Sequence, residues 1–418
     1  MRNNPFLFTL FLSVIILAID FYSFRGVKKL TVRYSAKTKR IVFFLFWIIP
    51  LMLIIGLLLF SMLSTAPAHF LSYFHLISGT FILFYVPKLV FIIFNLLDDL
   101  YSLFKKVIRN KSKEQKVEDS GESISRAQFL NRIGIVIAGV PFLSIAYGIK
   151  WGRFNYTLRK HTLSFTNLPP TFDGLRIVQF SDFHIGSFMH YHEKVMEAIK
   201  IINNQEPDLL LFTGDFVNNV SAEMDSFIPM LNQLNARLGK YSILGNHDYG
   251  EYVPWESPEE KRKNLERLVA IEEDIGFRML LNDSNKIEVN GSEIELVGVE
   301  NWGQPPFPQY GNLDKALADV NPDSFKILMS HDPSHWDAKV LGKTGIDLTL
   351  SGHTHGAQFG IEIPGWRWSP VSIRYNRWGG LYKEGEQLLH VNTGIGFIGF
   401  PGRVGIPPEI TVIELKKN

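Results

Sequence analysis

Five short blocks, each directly behind an apolar run, gather residue types that packing alone does not call for. They are Ser181-Asp182-Phe183-His184, Gly214-Asp215, Gly245-Asn246-His247-Asp248, Ser330-His331-Asp332 and Gly352-His353-Thr354-His355-Gly356. One Asp-x-His arises often by chance. The ordered set does not, because hard oxygen donors and imidazoles at so many strand ends serve no core. Together the blocks could furnish a two-metal hydrolytic centre. Where hydrolysis brings a negative nucleophile to a negative centre, charge neutralisation and water activation are the two tasks. A pair of divalent ions roughly 3.5–4 Å apart performs both. Mixed oxygen and imidazole donors suit manganese, iron or zinc better than magnesium or calcium. In His353-Thr354-His355 the alternation of an extended segment points both imidazoles the same way.

The elements that must position these blocks are strands. Leu175 to Phe180 reads as a buried strand ending at Ser181, Met189 to Asn203 as an amphipathic helix, and Asp208 to Phe212 as the next strand. Strand, helix, strand predicts a parallel pair joined by a right-handed crossover. Tyr241 to Leu244 continues the pattern, Lys261 to Ile275 is a charged amphipathic helix, and Ile294–Val297, Phe325–Leu328, Asp347–Leu350, Leu388–Val391 and Ile410–Ile413 are further strands. In an open α/β sheet the binding crevice lies beyond the carboxyl ends of the strands, which is where the blocks fall. The later part is richer in strands than in helices, so two sheets packed face to face, with helices outside, are expected.

The five blocks in this order resemble the calcineurin-like metallophosphoesterase superfamily, over roughly residues 171–418. The resemblance implies an α/β fold, a four-layer α/β/β/α sandwich, with two divalent metal ions (Mn, Fe or Zn). It implies that Asp182, His184, Asp215 and His355 hold the first ion, and that Asp215 bridges to a second held by Asn246, His331 and His353. Asn246 and His247 are implied to touch the substrate, with His247 protonating the leaving oxygen, a task for a side chain that titrates near neutrality. Asp248 is expected either to orient His247 as a catalytic partner or to cap a turn. Asp332 is expected either to support His331 or to begin the turn at Pro333. His190 and His192, at a helix start, are expected to be solvated rather than ligating, and His335 and His390 to be structural. The tail from Asn392 to Arg403 resembles a membrane-associated bacterial branch that includes exported and lipid-linked phosphodiesterases. Within it Arg403 is expected to contact a substrate phosphate or to be a surface arginine. The aromatics between Trp302 and Tyr310, with Trp366, Trp368 and Trp378, are expected to form a site rim, a membrane-facing surface or packed loops.

The front of the chain, residues 1–150, is of another kind. Phe6–Phe24 and Ile41–Met62 have the length of bilayer-crossing helices. Phe70–Leu97, interrupted by Pro87, and Ile133–Ile149, with Pro141, make about four. Basic residues crowd the first loop, Arg25 to Arg40, and a charged linker near 105–132, whereas Ser64 to His69 carries no lysine or arginine. By the rule that cytoplasmic loops are basic, this places residue 150 onward outside the cytoplasm. The expectation is a multi-pass protein of the bacterial inner membrane with an extracytoplasmic hydrolase. Ser125 to Leu130 resembles a decayed twin-arginine signal and points the same way. Lys88 and Asp20 are expected to be structural charges, and residues 151–170 a connector.

Composition closes off other classes. A net charge of +2, with no basic stretch interleaved with aromatics in the second half, argues against nucleic acid. Zero cysteines exclude thiolate chemistry and disulfides. The reading is therefore a membrane-anchored phosphoesterase acting on mono- or diesters, with lipid-linked and nucleotide-sugar substrates in view. The alternative is a non-catalytic metal-binding receptor or scaffold module.

Overall fold

The computed structural model describes residues 5–63, 67–109 and 125–418. Two compact units divide the chain, one built from residues 1–149 and the other from residue 150 onward, apart from residues 399–401, which group with the first.

Among the described residues the first unit has four helices: α1 (Pro5–Leu30), α2 (Ala36–Leu63), α3 (Pro67–Arg109) and α4 (Arg126–Lys150). Each carries a stretch long and apolar enough to cross a membrane. Their apolar side chains point outward: Phe44, Met52, Val136 and Leu143 are all more than 60% exposed. Asp20, Asn95, Asp98 and Asn131 are buried. This inside-out arrangement suits a hydrocarbon solvent, which rewards outward apolar surface and penalises outward polar groups. Pro50, Pro87 and Pro141 lie inside continuous helices. The charged linker expected near 105–132 is shorter, because α3 continues to Arg109 and α4 begins at Arg126; its central part, with Lys111, Lys113 and Lys116, lies outside the described residues. Of Ser64 to His69, residues 64–66 lie outside the described residues and Pro67 opens α3.

The second unit is the expected α/β sandwich. One six-stranded sheet runs in the order β1 (Thr157–Phe165), β14 (Glu409–Lys417), β2 (Arg176–Phe180), β3 (Leu209–Phe212), β4 (Gly239–Ser242) and β5 (Phe277–Met279). The other runs β12 (Gly380–Glu384), β13 (Gln387–Val391), β9 (Leu348–Ser351), β8 (Lys326–Met329), β7 (Ser292–Gly298) and β6 (Asp283–Val289). The central pairs β2–β3, β3–β4, β7–β8 and β8–β9 are parallel. Residues 151–170, expected as a connector, instead supply β1, which pairs along its whole length with β14.

Strand periodicity explains the layers. Ile177, Leu209 and Leu211 face Ile294, Leu296, Ile327 and Leu348 in a core between the sheets. Their neighbours Val178, Leu210 and Phe212 face the other way, onto α5 (His192–Asn203) and the Pro258–Asp274 helix through Val195, Ile199, Ile202 and Leu268. Strands buried on both faces must be apolar at successive positions, which is why these runs do not alternate. Beyond the second sheet, Val297, Leu328 and Leu389 meet Trp336, Val340 and Leu313 from short helical turns, so the fourth layer is thin. The small hairpin β10 (Ile361–Ile363) and β11 (Trp366–Trp368) stands apart from both sheets.

Candidate metal centre

The blocks follow β2, β3 and β4 of one sheet and β8 and β9 of the other, so side chains up to 173 positions apart converge at the carboxyl edges of both sheets. Leaving a strand sharply requires unusual backbone. Asp182 (φ 51°), His184 (48°), Asp215 (64°), His353 (71°) and His355 (50°) all adopt left-handed conformations. For a residue with a Cβ this costs about 1–3 kcal/mol each. Two devices hold the strained turns. Asp182 N donates to Gly214 O (2.9 Å) and His184 N to Asp215 O (3.1 Å), stitching the first two turns together. Glycine permits close approach at Gly352, where a side chain would collide with Ser181 and Asp182, and at Gly245, where it would collide with the Asp215 carboxylate.

Donor atoms of Asp182, His184 and His355 lie within 4.8 Å of one another, as do those of Asp182, Asp215 and His331. His184 Nε2 is 3.0 Å from His355 Nε2, and Asp182 Oδ1 is 3.2 Å from His355 Nε2. Asp215 Oδ2 sits between the groups, 3.6 Å from His184 Nε2 and 3.2 Å from His331 Nε2. Both aspartates therefore occupy shared positions.

The hydrogen bonds on the far sides of the rings decide which nitrogens face the centre. A carbonyl only accepts, so a ring nitrogen beside it must carry the hydrogen, leaving the other nitrogen a lone pair. His331 Nδ1 lies 2.7 Å from Thr213 O, His184 Nδ1 3.2 Å from Val217 O, and His247 Nδ1 2.7 Å from Asn218 O. In each, when the ring is neutral, Nε2 carries the lone pair. His353 is turned the other way, its Nε2 2.8 Å from Tyr375 Oη and 3.5 Å from Asp332 Oδ2, which presents Nδ1. His355 Nδ1 faces the Arg403 guanidinium at 3.4 Å, too long to fix a tautomer.

Two donor atoms are left over. His331 Nε2 and Asn246 Oδ1 are buried without a hydrogen-bond partner, the former close to Asp215 but off the line a hydrogen bond needs. Asn246 Nδ2 donates to Tyr252 Oη (2.8 Å), so the amide is oriented with its oxygen unspent. Buried orphans of this kind are costly unless something else binds them. Residue types and orphaned atoms alike fit a divalent cation.

Electrostatics agree. Burial opposes ionisation of Asp182, but His355 and His331 hold its carboxyl well below the usual range. Burial likewise opposes ionisation of Asp215, which His331 and His247 outweigh. Burial pushes His184 and His353 down, toward the neutral form that binds metal, and lowers His247 as well. His331 alone is pushed up, to about 10: burial resists, and the Asp215 carboxylate prevails.

Two residues for which alternatives stood open can be placed. Asp248 does not orient His247, because its oxygens accept from the backbone N–H groups of Gly245, Asp215, Phe216 and Val217, at 2.8 to 3.3 Å. It clamps the β3 and β4 turns, and burial followed by the nearby Asp215 raises it to about 7. Arg403 is not a surface arginine. It is 2% exposed, and donates to Gly396 O (2.8 Å) and Thr393 O (2.9 Å) behind His355.

Asp332 lies beside His353 rather than His331, and its other oxygen caps Ser334 N (2.8 Å). His335 and His390 bond Ser330 and Gln179, and His192 pairs with Ser226, away from the centre. Asn218 and Tyr375, which hold His247 and His353, carried no signal in the spacing. Of the aromatics expected at a rim, Phe307 stacks edge-on against His353 at 4.7 Å, and Trp378 is buried.

Comparison with known proteins follows the same division of the chain. Residues 2–153 match a family described as a probable calcineurin-like phosphoesterase transmembrane domain, and residues 175–357 match calcineurin-like phosphoesterases. The chain is 32% identical over 314 residues to the uncharacterized metallophosphoesterase YkuE of Bacillus subtilis (strain 168), a match covering 71% of this chain and 99% of that protein. It is 29% identical over 300 residues to the phosphodiesterase YaeI of Escherichia coli (strain K12), covering 70% of this chain and 99% of that one. A transmembrane protein with a metallophosphoesterase domain from Bos taurus is 28% identical over 60% of this chain, and the match spans 54% of the bovine protein.

Proposed function

Because this chain belongs to the calcineurin-like phosphoesterase family and joins that domain to a four-helix membrane region, we propose that it is a membrane-anchored hydrolase of phosphate mono- or diesters. The observation that carries this reading is the set of imidazole and amide donor atoms left facing one another around two buried carboxylates. Asp182, His184 and His355 would hold one divalent ion and Asn246, His331 and His353 a second, with Asp215 serving both. When bound, such ions neutralise the phosphate and lower the pKa of water toward neutrality.

The chain's own residues do the rest. His247, held through Nδ1 by Asn218, presents Nε2 toward the centre; that nitrogen takes up a proton from solvent when a phosphate anion beside it favours the charged ring, and passes it to the leaving ester oxygen. Tyr252 packs on the His247 ring at 4.4 Å and fixes its plane. Asp248 keeps the turns of Asp215 and Asn246 in register through its backbone bonds. Basic residues at the α1–α2 and α3–α4 ends, among them Lys28, Lys29, Lys105 and Lys106, support an extracytoplasmic hydrolase in a bacterial inner membrane. A reporter fused after Asn418 that works only in the cytoplasm would reverse that orientation.

The test of activity uses the full chain in detergent, loaded with manganese, and offered bis-p-nitrophenyl phosphate and p-nitrophenyl phosphate. Wild type should turn over at least one of them. His247→Ala should retain metal and lose turnover by about 10²–10⁴-fold. A folded, fully metallated wild type inert to both esters and to a wider ester panel would sink the enzyme reading in favour of a binding module.

A further inference from the structure

The hairpin β10–β11 reverses the usual alternation of a surface strand. Ile361 pairs with Trp368, Glu362 with Arg367 and Ile363 with Trp366. Residues directly opposite in an antiparallel pair share a face, so Ile361, Ile363, Trp366 and Trp368 form one face, and Glu362 and Arg367 the other. The polar face is the one that bonds to the rest of the protein, although Arg367 on it stays exposed. Glu362 receives Arg159 at 2.5 Å, while Arg367 donates to Gly379 O and lies over the Trp378 ring. The apolar face is left outward, with its four side chains 41–54% exposed and Ile373 nearby 87% exposed. An apolar surface displayed in this way calls for a partner.

We propose that this hairpin seats in the interfacial layer of the bilayer and that the enzyme's substrate is a phosphate ester of a membrane lipid. Three observations select the bilayer. The hydrolase follows a membrane-crossing helix, with only six residues between the end of α4 at Lys150 and the start of β1 at Thr157, so a lipid surface is its constant neighbour. Tryptophan and isoleucine suit the boundary between headgroups and acyl chains. The exposed Arg374, next to Ile373, suits anionic headgroups.

The hairpin also roots in the candidate centre at both ends. Upstream it follows His355 and Gly356; downstream, the buried Ser369 donates to Gly356 O (2.6 Å), and Tyr375 binds His353. A lipid taken up along the apolar face would bring its headgroup phosphate toward those histidines. The substrate assignment rests on the phosphoesterase reading above; the seating of the hairpin does not.

The chain has 0 cysteines, which permits single-site labelling without background. Ile363→Cys, Ile373→Cys and, as a control on the far edge of the second sheet, Glu288→Cys would carry nitroxides in full-length protein. The protein would be reconstituted in vesicles of phosphatidylethanolamine and phosphatidylglycerol. Collisions with oxygen should dominate at positions 363 and 373, and collisions with a water-soluble nickel chelate at 288. Water-like behaviour at all three would overturn the seating and leave the face to a protein partner. In parallel, Trp366→Ser/Trp368→Ser should hydrolyse the soluble ester at the wild-type rate and a vesicle-borne phosphate ester at least about tenfold more slowly. Equal rates on both esters, or equal loss on both, would overturn the lipid-substrate assignment. Inactivity of wild type toward every ester would instead remove the phosphoesterase reading, while the labels still decide the seating.

Discussion

In the helical unit Asp20 is fully buried, with Tyr85 Oη donating to one carboxylate oxygen at 2.5 Å and Lys88 Nζ to the other at 2.5 Å. In the hydrolase Asp182 and Asp215 are just as buried, but their neighbours are imidazoles whose N–H groups are largely committed to carbonyls on their far sides. The first acid has its base and hydroxyl beside it and needs nothing more. The second pair faces donor atoms that could hold a cation. The helical unit also has unpartnered buried atoms on Ser23, Asn95 and Asn131, but these are neutral groups. Burial of an acid is therefore not itself the mark of a functional site. What distinguishes the two regions is whether the surrounding donors are spent.

Changing Asp215 tests the hydrolase side of this contrast most severely. Asp215→Asn should lower metal content and reduce turnover on the order of 10³-fold or more, since the carboxylate neighbours both histidine groups. Metal analysis beside ester kinetics checks it, and full metal occupancy in the variant would count against the shared role.

The helical side has the opposite signature. Asp20→Leu leaves Lys88 without its carboxylate and should cost about 3–5 kcal/mol of stability, whereas Asp20→Leu with Lys88→Leu should recover most of the loss. Unfolding in detergent distinguishes them. Turnover by either variant, once folded, should remain near wild type.

A smaller effect is expected at Tyr375→Phe, which removes the hydroxyl that holds His353 Nε2. Metal affinity should fall about 10- to 100-fold, with a lesser effect on turnover at saturating metal. Competition against a chelator measures it.

The mildest test is pH. In the metal-free protein His331, with its pKa raised to about 10, keeps its proton through neutrality. A raised folded-state value means that its contribution to stability is complete below about pH 6.5 and is lost as pH climbs through about 10. Metal must displace that proton, so affinity should rise about tenfold per pH unit below about pH 10. Titration calorimetry in buffers of different ionisation enthalpy would count the released proton; no release would contradict the assignment of His331.

Much of this architecture can be read without coordinates. Buried parallel strands announce themselves as short apolar runs, so β2, β3, β8, β9 and β13 fall within a residue or so of where the apolar runs place them. β4 is less clear: the apolar run Tyr241–Leu244 lies two residues beyond the strand, since Ile243 and Leu244 already belong to the descent into the site. β1 escaped because its burial is one-sided along an edge, which weakens the apolar signal. The hairpin escaped because its pattern is ordinary; only the face it turns outward is not.

Residue types, their order at strand ends and the four apolar helices were thus settled by the chain's chemistry, because periodicity and donor type are local properties. Which nitrogen of each ring faces the centre, that Asp248 clamps backbone instead of orienting His247, that Arg403 lies buried behind His355, and that Tyr375 reaches His353 were settled only by folding. Each depends on a hydrogen bond whose direction is set by backbone angles and by partners brought together from distant positions, and local composition carries no record of those.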